Sequence, residues 1–251
     1  MRVMSFNLRY DNEADGKYNW QNRLPAVIEV LKETNPDVLG IQEGLPHQIN
    51  DLKNILSSYR YFGRGRTQDE ASEQIGIFYK NGILDVRNKG HFWLSKTPHK
   101  IGSKDFGSDL PRMTNWIYAT HIDSKKKLFI LNTHYDNKSM VARNKASQII
   151  IDKISKFPFK IDFLILVGDF NNIISNRPIN ILKDDLNLLD ALKEVGNTEP
   201  TFHDFSEVGI MRIDYILCSK MIGIKKGKVI KLKPKNIYPS DHYPIYADLG
   251  F

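Results

Sequence analysis

FLILVGDFN, residues 163–171, sets five apolar residues in a row ahead of a glycine, an aspartate, a phenylalanine and an asparagine. An apolar run of that length bounded by turn chemistry describes a strand buried on both faces. It predicts a strand over Phe163 to Val167 that delivers Asp169 and Asn171 where the strand ends. The pattern recurs in both directions along the chain. Val3 to Phe6 runs into Asn7, Asp37 to Ile41 into Glu43, and Leu128 to Leu131 through Thr133 into His134. Ser240-Asp241-His242 opens a last strand over Ile245 to Leu249. One such residue has a plain explanation, because Asx residues end strands and shape turns. Carboxylate, amide and imidazole at one strand end after another point instead to side chains that share a pocket, since neighbouring strand ends converge.

Between these strands the apolar spacing becomes helical. Leu24, Val27, Ile28 and Leu31 share a face, with Asn22 as the expected N-cap and Pro25 tolerated in the first turn. Leu45, Ile49, Leu52 and Leu56 mark a second helix, and Ala142, Ala146, Ile149 and Ile150 a third opened by Ser139. From residue 74 to 133, including Ile75 to Tyr79, strands follow one another with no helix between them. The last quarter is strand again at Ile213 to Leu217, Lys228 to Leu232 and Ile245 to Leu249. Helices then have to pack outside sheets that also face each other, an α+β sandwich of helix, sheet, sheet and helix. No Pro/Gly/Ser-rich linker, repeat or low-complexity stretch divides the 251 residues, which read as a single domain over 1–251. Two long loops, Arg9 to Asn22 and Ser95 to Pro111, read as functional walls.

Composition excludes several classes. At 41% hydrophobic and 26% charged residues the chain is globular rather than disordered. A lone cysteine, Cys218, excludes an internal disulfide framework, fits a reducing compartment and lies in an apolar run where an inert buried thiol is expected. No apolar run approaches the ~20 residues of a membrane-crossing helix, and Arg2, Asn7 and Arg9 interrupt any signal core at the N-terminus. The expectation is a cytoplasmic protein with no membrane insertion and no obligate protein partner, a secreted form being left open. A net charge of +7 suits a polyanionic substrate. Much of that excess, however, lies in Lys125 to Lys127 and Lys225 to Lys235, which read as a turn and a solvated strand edge.

Asp214 strengthens the case for a site. In Ile213-Asp214-Tyr215-Ile216-Leu217 strict alternation sets it on the face of Ile216. A carboxylate inside a strand core is costly unless paired, and a histidine is its natural partner. Glu73, in step with Ile75 and Ile77, raises the same question, with an ion pair to Arg or Lys as the structural answer. Such an inventory suits in-line attack on phosphorus. A hard cation neutralises the non-bridging oxygens, a carboxylate positions and deprotonates water, and an imidazole stabilises or protonates the departing alkoxide. There is no Walker loop, CxxC pair or HExxH, so nucleotide-cradling and structural-zinc readings have no support.

At these residues the sequence resembles the endonuclease/exonuclease/phosphatase (DNase I-like) superfamily. The matching segments, in the family's order, are SFNLRY (5–10), IQEG (41–44), NTH (132–134), GDFN (168–171), RIDYIL (212–217) and SDHYP (240–244). The resemblance implies a four-layer αββα sandwich of two packed mixed sheets flanked by helices, with Mg²⁺ or Mn²⁺ at the site. It implies Glu43 as metal ligand, with Asn7 and Asp241 beside the metal. It further implies Asp169 activating water, Asn171 binding phosphate, and His134 and His242 stabilising the transition state. Asp214 would orient His242, Glu73 would orient His134, and Arg9 and Arg112 would contact the phosphate. Arg9 stands where abasic-site endonucleases carry an aspartate, and His134 where they tend to have tyrosine, which argues against that branch. FWLSKTPHKIGSKDFGSDLPR (92–112) and NTHYDN (132–137) resemble a poorly characterised bacterial subgroup.

Three functions are compatible with this reading. The first is a phosphodiesterase acting on nucleic acid, an endonuclease or exonuclease, favoured by charge and Arg9. The second keeps the chemistry on a small sugar, inositol or lipid phosphate. The third is a non-catalytic binding module, disfavoured because Glu43, His134, Asp169, Asn171, Asp214, Asp241 and His242 are all present.

Overall fold

The structure is a computed structural model that describes residues 1–173 and 177–251. In chain order the elements begin β1 (Arg2–Asn7), α1 (Trp20–Thr34), β2 (Val38–Gly44), α2 (Pro46–Ile55), β3 (Tyr59–Gly65) and β4 (Gln74–Lys80). There follow β5 (Leu84–Trp93), β6 (Met113–His121), β7 (Lys127–His134), α3 (Met140–Ser155), β8 (Phe163–Asp169) and α4 (Arg177–Asp185). The chain closes with β9 (Leu188–Asp190), α5 (Ala191–Glu194), β10 (Asp214–Ser219), β11 (Gly223–Val229) and β12 (Ile245–Gly250). These strands make two six-stranded sheets, ordered β11-β12-β1-β2-β4-β3 and β5-β6-β7-β8-β10-β9.

Each sheet is mixed in the same way. Its central pair is parallel, β1 with β2 in the first and β7 with β8 in the second, while the flanking pairs are antiparallel. A parallel pair needs a crossover, and α1 and α3 supply the two. Alternation then sorts the side chains into four layers. Val3, Val38, Ile130, Ile165, Val167 and Ile216 pack between the sheets. Met4, Phe6, Leu39 and Ile41 turn outward onto Val27, Val30 and Leu31 of α1 and Ile49 and Leu52 of α2. Phe129, Leu131, Leu164 and Leu166 turn outward onto Ala146 and Ile150 of α3 and Ile179 and Leu182 of α4. The expected α+β sandwich of helix, sheet, sheet and helix is the observed one.

Several elements differ from the sequence reading, and α4, β9 and α5 have no counterpart in it. Helix α1 begins a turn earlier than expected, capped by Asn19, whose side chain accepts from the Asn22 amide. That start brings Trp20 into the core, fully buried, with its Nε1 donating to Asp51 at 2.8 Å. The strand expected over Lys228 to Leu232 runs instead over Gly223–Val229, an edge strand whose register shifts between Ile224 and Lys226. Five exposed or half-buried residues among its seven hide it from a hydrophobicity reading. Strand β3 was not anticipated either; its residues are nearly all half-buried rather than core. Ser139 caps α3 as expected.

Apolar packing between sheets is not directional, so something else must set their register. Asn132 on β7 spans the gap. Its Nδ2 donates to the carbonyls of Ile41 on β2 and Gly76 on β4, at 2.8 and 2.9 Å, and its Oδ1 accepts from Gln42 at 2.7 Å. The approach is close because Gly40 has no side chain, and a Cβ there would lie 2.5 Å from Val167 Cγ2 and 3.0 Å from Asn132 Oδ1. Glu43 follows Gln42 directly and His134 lies two residues beyond Asn132, so this bond set also fixes one half of the candidate site against the other.

Candidate active site

The C-terminal ends of the two parallel pairs lie at the same end of the sandwich. Asn7 stands opposite Gln42 in the β1–β2 register, and His134 opposite Asp169 in the β7–β8 register. Backbone conformation bends the chain inward at these ends. Glu43 sits at φ 60° inside the register shift between Ile41 and Gly44, Asn171 at φ 47° and Arg9 at φ 53°. Left-handed conformations of non-glycine residues are costly and cluster where function holds them. Gly168, at φ 149°, could not be replaced, since a Cβ would fall 2.0 Å from the Thr133 carbonyl oxygen.

Asn7 is the hub. Its Nδ2 lies 3.1 Å from Glu43 Oε1, 3.1 Å from Asp169 Oδ2 and 3.5 Å from His242 Nε2, and its Oδ1 accepts from the Arg9 amide at 2.9 Å. Asp169 Oδ1 accepts from the Asn171 amide at 2.8 Å, and Asn171 Nδ2 donates to the Tyr135 carbonyl at 3.0 Å. On the far side His242 Nδ1 meets Asp214 Oδ2 at 2.9 Å, both side chains buried. Asp214 stands opposite Asp169 in the β8–β10 register, which gives His242 carboxylates on both flanks.

Two segments brought in by loops complete the arrangement. Ser240 Oγ donates to the Asn7 carbonyl at 2.7 Å, tying Asp241 and His242 to β1. Arg23 of α1, fully buried, donates from Nη1 to the carbonyls of Leu8 and Pro239 at 2.6 and 2.8 Å, and from Nη2 to that of Arg9 at 2.8 Å. Burial pushes its guanidinium down to about 10, still charged at neutral pH. No sequence motif flagged Arg23; an arginine on the apolar face of a predicted helix was the available signal. Arg9 is held by Asp15, at 2.9 Å, with Asp241 at 3.8 Å.

The electrostatics separate the two histidines. Burial opposes charge on His242, but the charge and hydrogen bond of Asp214, joined by Asp241 and Asp169, outweigh it and hold its pKa well above the ordinary value. His134 is buried too, and burial together with the Arg112 guanidinium drives it well below. Arg112 Nη1 lies 3.1 Å from Nδ1 and 3.2 Å from Nε2 of that ring. Guanidinium nitrogens only donate, so a ring protonated at both positions would face a donor with donors. His134 is therefore neutral although Asp169 is 3.5 Å away. Asp169 is raised to about 7 by burial and by the charge of Asp214. Burial raises Asp241 as well, with Glu43 adding repulsion against the opposing charge of His242.

The expected pairing of Glu73 with His134 does not form. Glu73 Oε1 accepts from Arg66 Nη2 at 2.6 Å, and the Arg66 amide donates to the Glu73 carbonyl at 3.0 Å. Hairpin geometry wins here, because the β3–β4 turn sets Arg66 directly across from Glu73. All the other residues singled out from the sequence, Asn7, Arg9, Glu43, Arg112, His134, Asp169, Asn171, Asp214, Asp241 and His242, gather at one end of the sandwich. All of these but Asn7 and Asp214 line one cavity of about 350 Å³. Asn137, Phe202, Asp204 and Met211 line it too and were not anticipated. Cys218 is a buried thiol raised to about 12 by burial and takes no part. Among the described residues no helix is long and apolar enough to cross a membrane.

Known proteins share this fold. The crystal structure of an endonuclease/exonuclease/phosphatase from Bacteroides vulgatus superposes with a TM-score of 0.92 at 28% identity, over 100% of this chain and 98% of that one. A mannosyl-6-phosphatase from Bacteroides thetaiotaomicron superposes at 0.90 and 27% identity over the whole of both chains. An uncharacterised protein of Acanthamoeba polyphaga mimivirus, L388, is 25% identical over 214 residues, 77% of this chain and 78% of its own. The family model described as Endonuclease/Exonuclease/phosphatase family matches residues 4–242, nearly the full chain, and the protein belongs to that family.

Proposed function

We propose that the protein is a divalent-metal-dependent phosphoesterase that hydrolyses a small phosphomonoester, a sugar phosphate first among them, by in-line attack of water on phosphorus. The observation that carries this reading is the convergence of Asn7, Glu43, His134, Asp169 and His242 from both sheets beside one cavity. A volume of about 350 Å³ is near the lower end for small-molecule sites. The likeness to a mannosyl-6-phosphatase at 27% identity over both full chains supports the same substrate class.

A hard cation fits the donor set. Glu43, His134 and Asp169 present ligand atoms within 4.8 Å of one another, and burial raises Asp169 and Asp241 with a contribution from neighbouring carboxylates that a dication relieves. Glu43, with Asn7 and Asp241, would hold Mg²⁺ or Mn²⁺, which supplies neutralising charge to the non-bridging phosphate oxygens. The chain's own groups do the rest. Asp169, fixed by the Asn171 amide, orients the attacking water and accepts its proton. Asn171, Arg9 and Arg112 hold the phosphate. His242, kept cationic by Asp214, stabilises the negative charge that develops on the phosphoryl and leaving oxygens and gives its proton to the departing alkoxide. Neutral His134 donates a hydrogen bond without adding charge.

Phosphate release from mannose 6-phosphate and p-nitrophenyl phosphate, abolished by EDTA and restored by Mg²⁺ or Mn²⁺, is the expected result. Turnover of bis-(p-nitrophenyl) phosphate or plasmid DNA alone would replace the monoesterase reading with the nucleic-acid one. That second reading draws on Lys96, Lys145, Lys153 and Lys156, which line a surface cavity of about 450 Å³ along α3.

A further inference from the structure

We infer that Phe202, Asp204 and Met211, with Asn137 beside them, form a polyol-recognition wall, Asp204 and Asn137 bonding hydroxyls of the substrate's alcohol while Phe202 and Met211 lie against its carbon face. The inference rests on the phosphoesterase reading and specifies the part of the substrate beyond the phosphate.

The wall is built into the site. Phe202 pairs with both Met211 and His242 through isolated bridges, and its ring centroid lies 5.0 Å from that of His242 at 57°. A group bonded to the phosphate that faces His242 therefore has the Phe202 ring beside it. The amides of His203 and Asp204 donate to the Asp241 carbonyl at 2.9 and 3.2 Å, so the segment is tied to the residues that flank the reacting centre. Phe205 stacks on Tyr18 at 4.4 Å and 5°, anchoring the other side.

Asp204 is the unusual member. It and Phe205 are consecutive non-glycine residues in the left-handed region, at φ 49° and 55°. Left-handed backbone at two consecutive non-glycine residues is strained, and the pair stands with Asp204 on the cavity lining. Among the described residues no hydrogen bond or ion pair engages its carboxylate. Asn137 lines the same cavity; its Oδ1 accepts from Arg112 Nη2 at 3.3 Å, and its Nδ2 remains available to donate.

Charge selects among ligands. An unpaired carboxylate close to a phosphate-binding centre repels a second phosphate, so a polynucleotide, with phosphates on both sides of the scissile one, is disfavoured. Neutral hydroxyls are favoured, since a carboxylate is a strong acceptor for them. An acceptor, an amide donor and an apolar ring and thioether together match a sugar, whose rim carries hydroxyls and whose face carries C–H groups.

The test compares kcat/KM for mannose 6-phosphate and p-nitrophenyl phosphate in the Mg²⁺-loaded enzyme, wild type against Asp204→Asn and Asp204→Glu. Asparagine tolerates the left-handed backbone, so Asp204→Asn keeps the loop while weakening the acceptor. The ratio of the two kcat/KM values should fall at least fivefold in Asp204→Asn, through KM for the sugar phosphate, and recover in part in Asp204→Glu. An unchanged ratio overturns the wall and leaves the phosphoesterase reading standing. So does a wild type that cleaves p-nitrophenyl phosphate but none of mannose 6-phosphate, glucose 6-phosphate and glycerol 3-phosphate. A wild type that cleaves only phosphodiesters overturns the monoesterase reading itself, and the wall with it.

Discussion

His134 and His242 approach the same oxygen of Asp169, at 3.5 and 3.8 Å, and are driven to opposite charge states. Burial is common to both; what differs is each ring's second charged partner. For His242 that partner is a carboxylate, Asp214, and for His134 a guanidinium, Arg112. Two histidines in one pocket thus offer a fixed cation and a neutral hydrogen-bonding group at the same pH, a division of labour set by neighbours rather than by residue type. The His242 setting draws on both sheets. Asp214 and Arg112 come from the second sheet and its approach loop, whereas His242 belongs to the segment tied to β1 in the first.

The largest effect should come from removing the cationic arm. His242→Ala is expected to lower kcat on the order of 10³–10⁴-fold, the upper part of the span for a positioned proton-transfer group, with Mg²⁺ affinity nearly retained in titration calorimetry. Asp214→Asn should follow, on the order of 10²–10³-fold, because an amide neither carries the compensating charge nor fixes the tautomer. Its thermal midpoint should also drop, since breaking a buried pair costs about 3–5 kcal/mol. Activity within threefold of wild type in Asp214→Asn would dissolve the contrast between the rings. Glu73→Gln lies at the other extreme. With Glu73 bonded to Arg66, its loss should change kcat less than about threefold; a hundredfold loss would mean that His134 has an acidic partner in solution after all.

Much of this contrast was legible in the chain. Asp214 within an apolar alternation called for a partner, and the strand ends carrying Asn7, Glu43, His134 and Asp169 are the C-terminal ends of the two parallel pairs. Local periodicity suffices there, because burial on both faces writes itself into the sequence. What stayed hidden depends on geometry between segments. Glu73 took Arg66 because a hairpin register put them opposite one another. Asn19 and Asn22 are equally good caps, and the burial of Trp20 decides between them. Asn132 lay inside a recognised motif, yet its bonds to Ile41 and Gly76 needed the distance between sheets. Phe202 reaches the cavity through its bridge to His242, and Asp204 through the amide bonds to Asp241, which no pattern of side chains announces.

The smallest expected effect is a pH dependence of folding, and its sign tests the neutral state of His134. A histidine whose folded pKa lies below its unfolded value of about 6.5 binds its proton only when the chain unfolds. Below about pH 6.5 the unfolded state therefore takes up more protons than the native state, and stability falls as pH falls. His203, lowered to about 4 by burial and stacked on Tyr243 at 4.0 Å, adds a contribution of the same sign between about pH 6.5 and 4. His242, with its folded pKa raised, acts the other way: its contribution is full below about pH 6.5 and fades as pH rises through the folded value. In the metal-free protein, His134→Gln should flatten the acid limb of the thermal midpoint plotted against pH and leave the alkaline limb unmoved. A flattened alkaline limb instead would put the proton on His134 and reverse the assignment of the two rings.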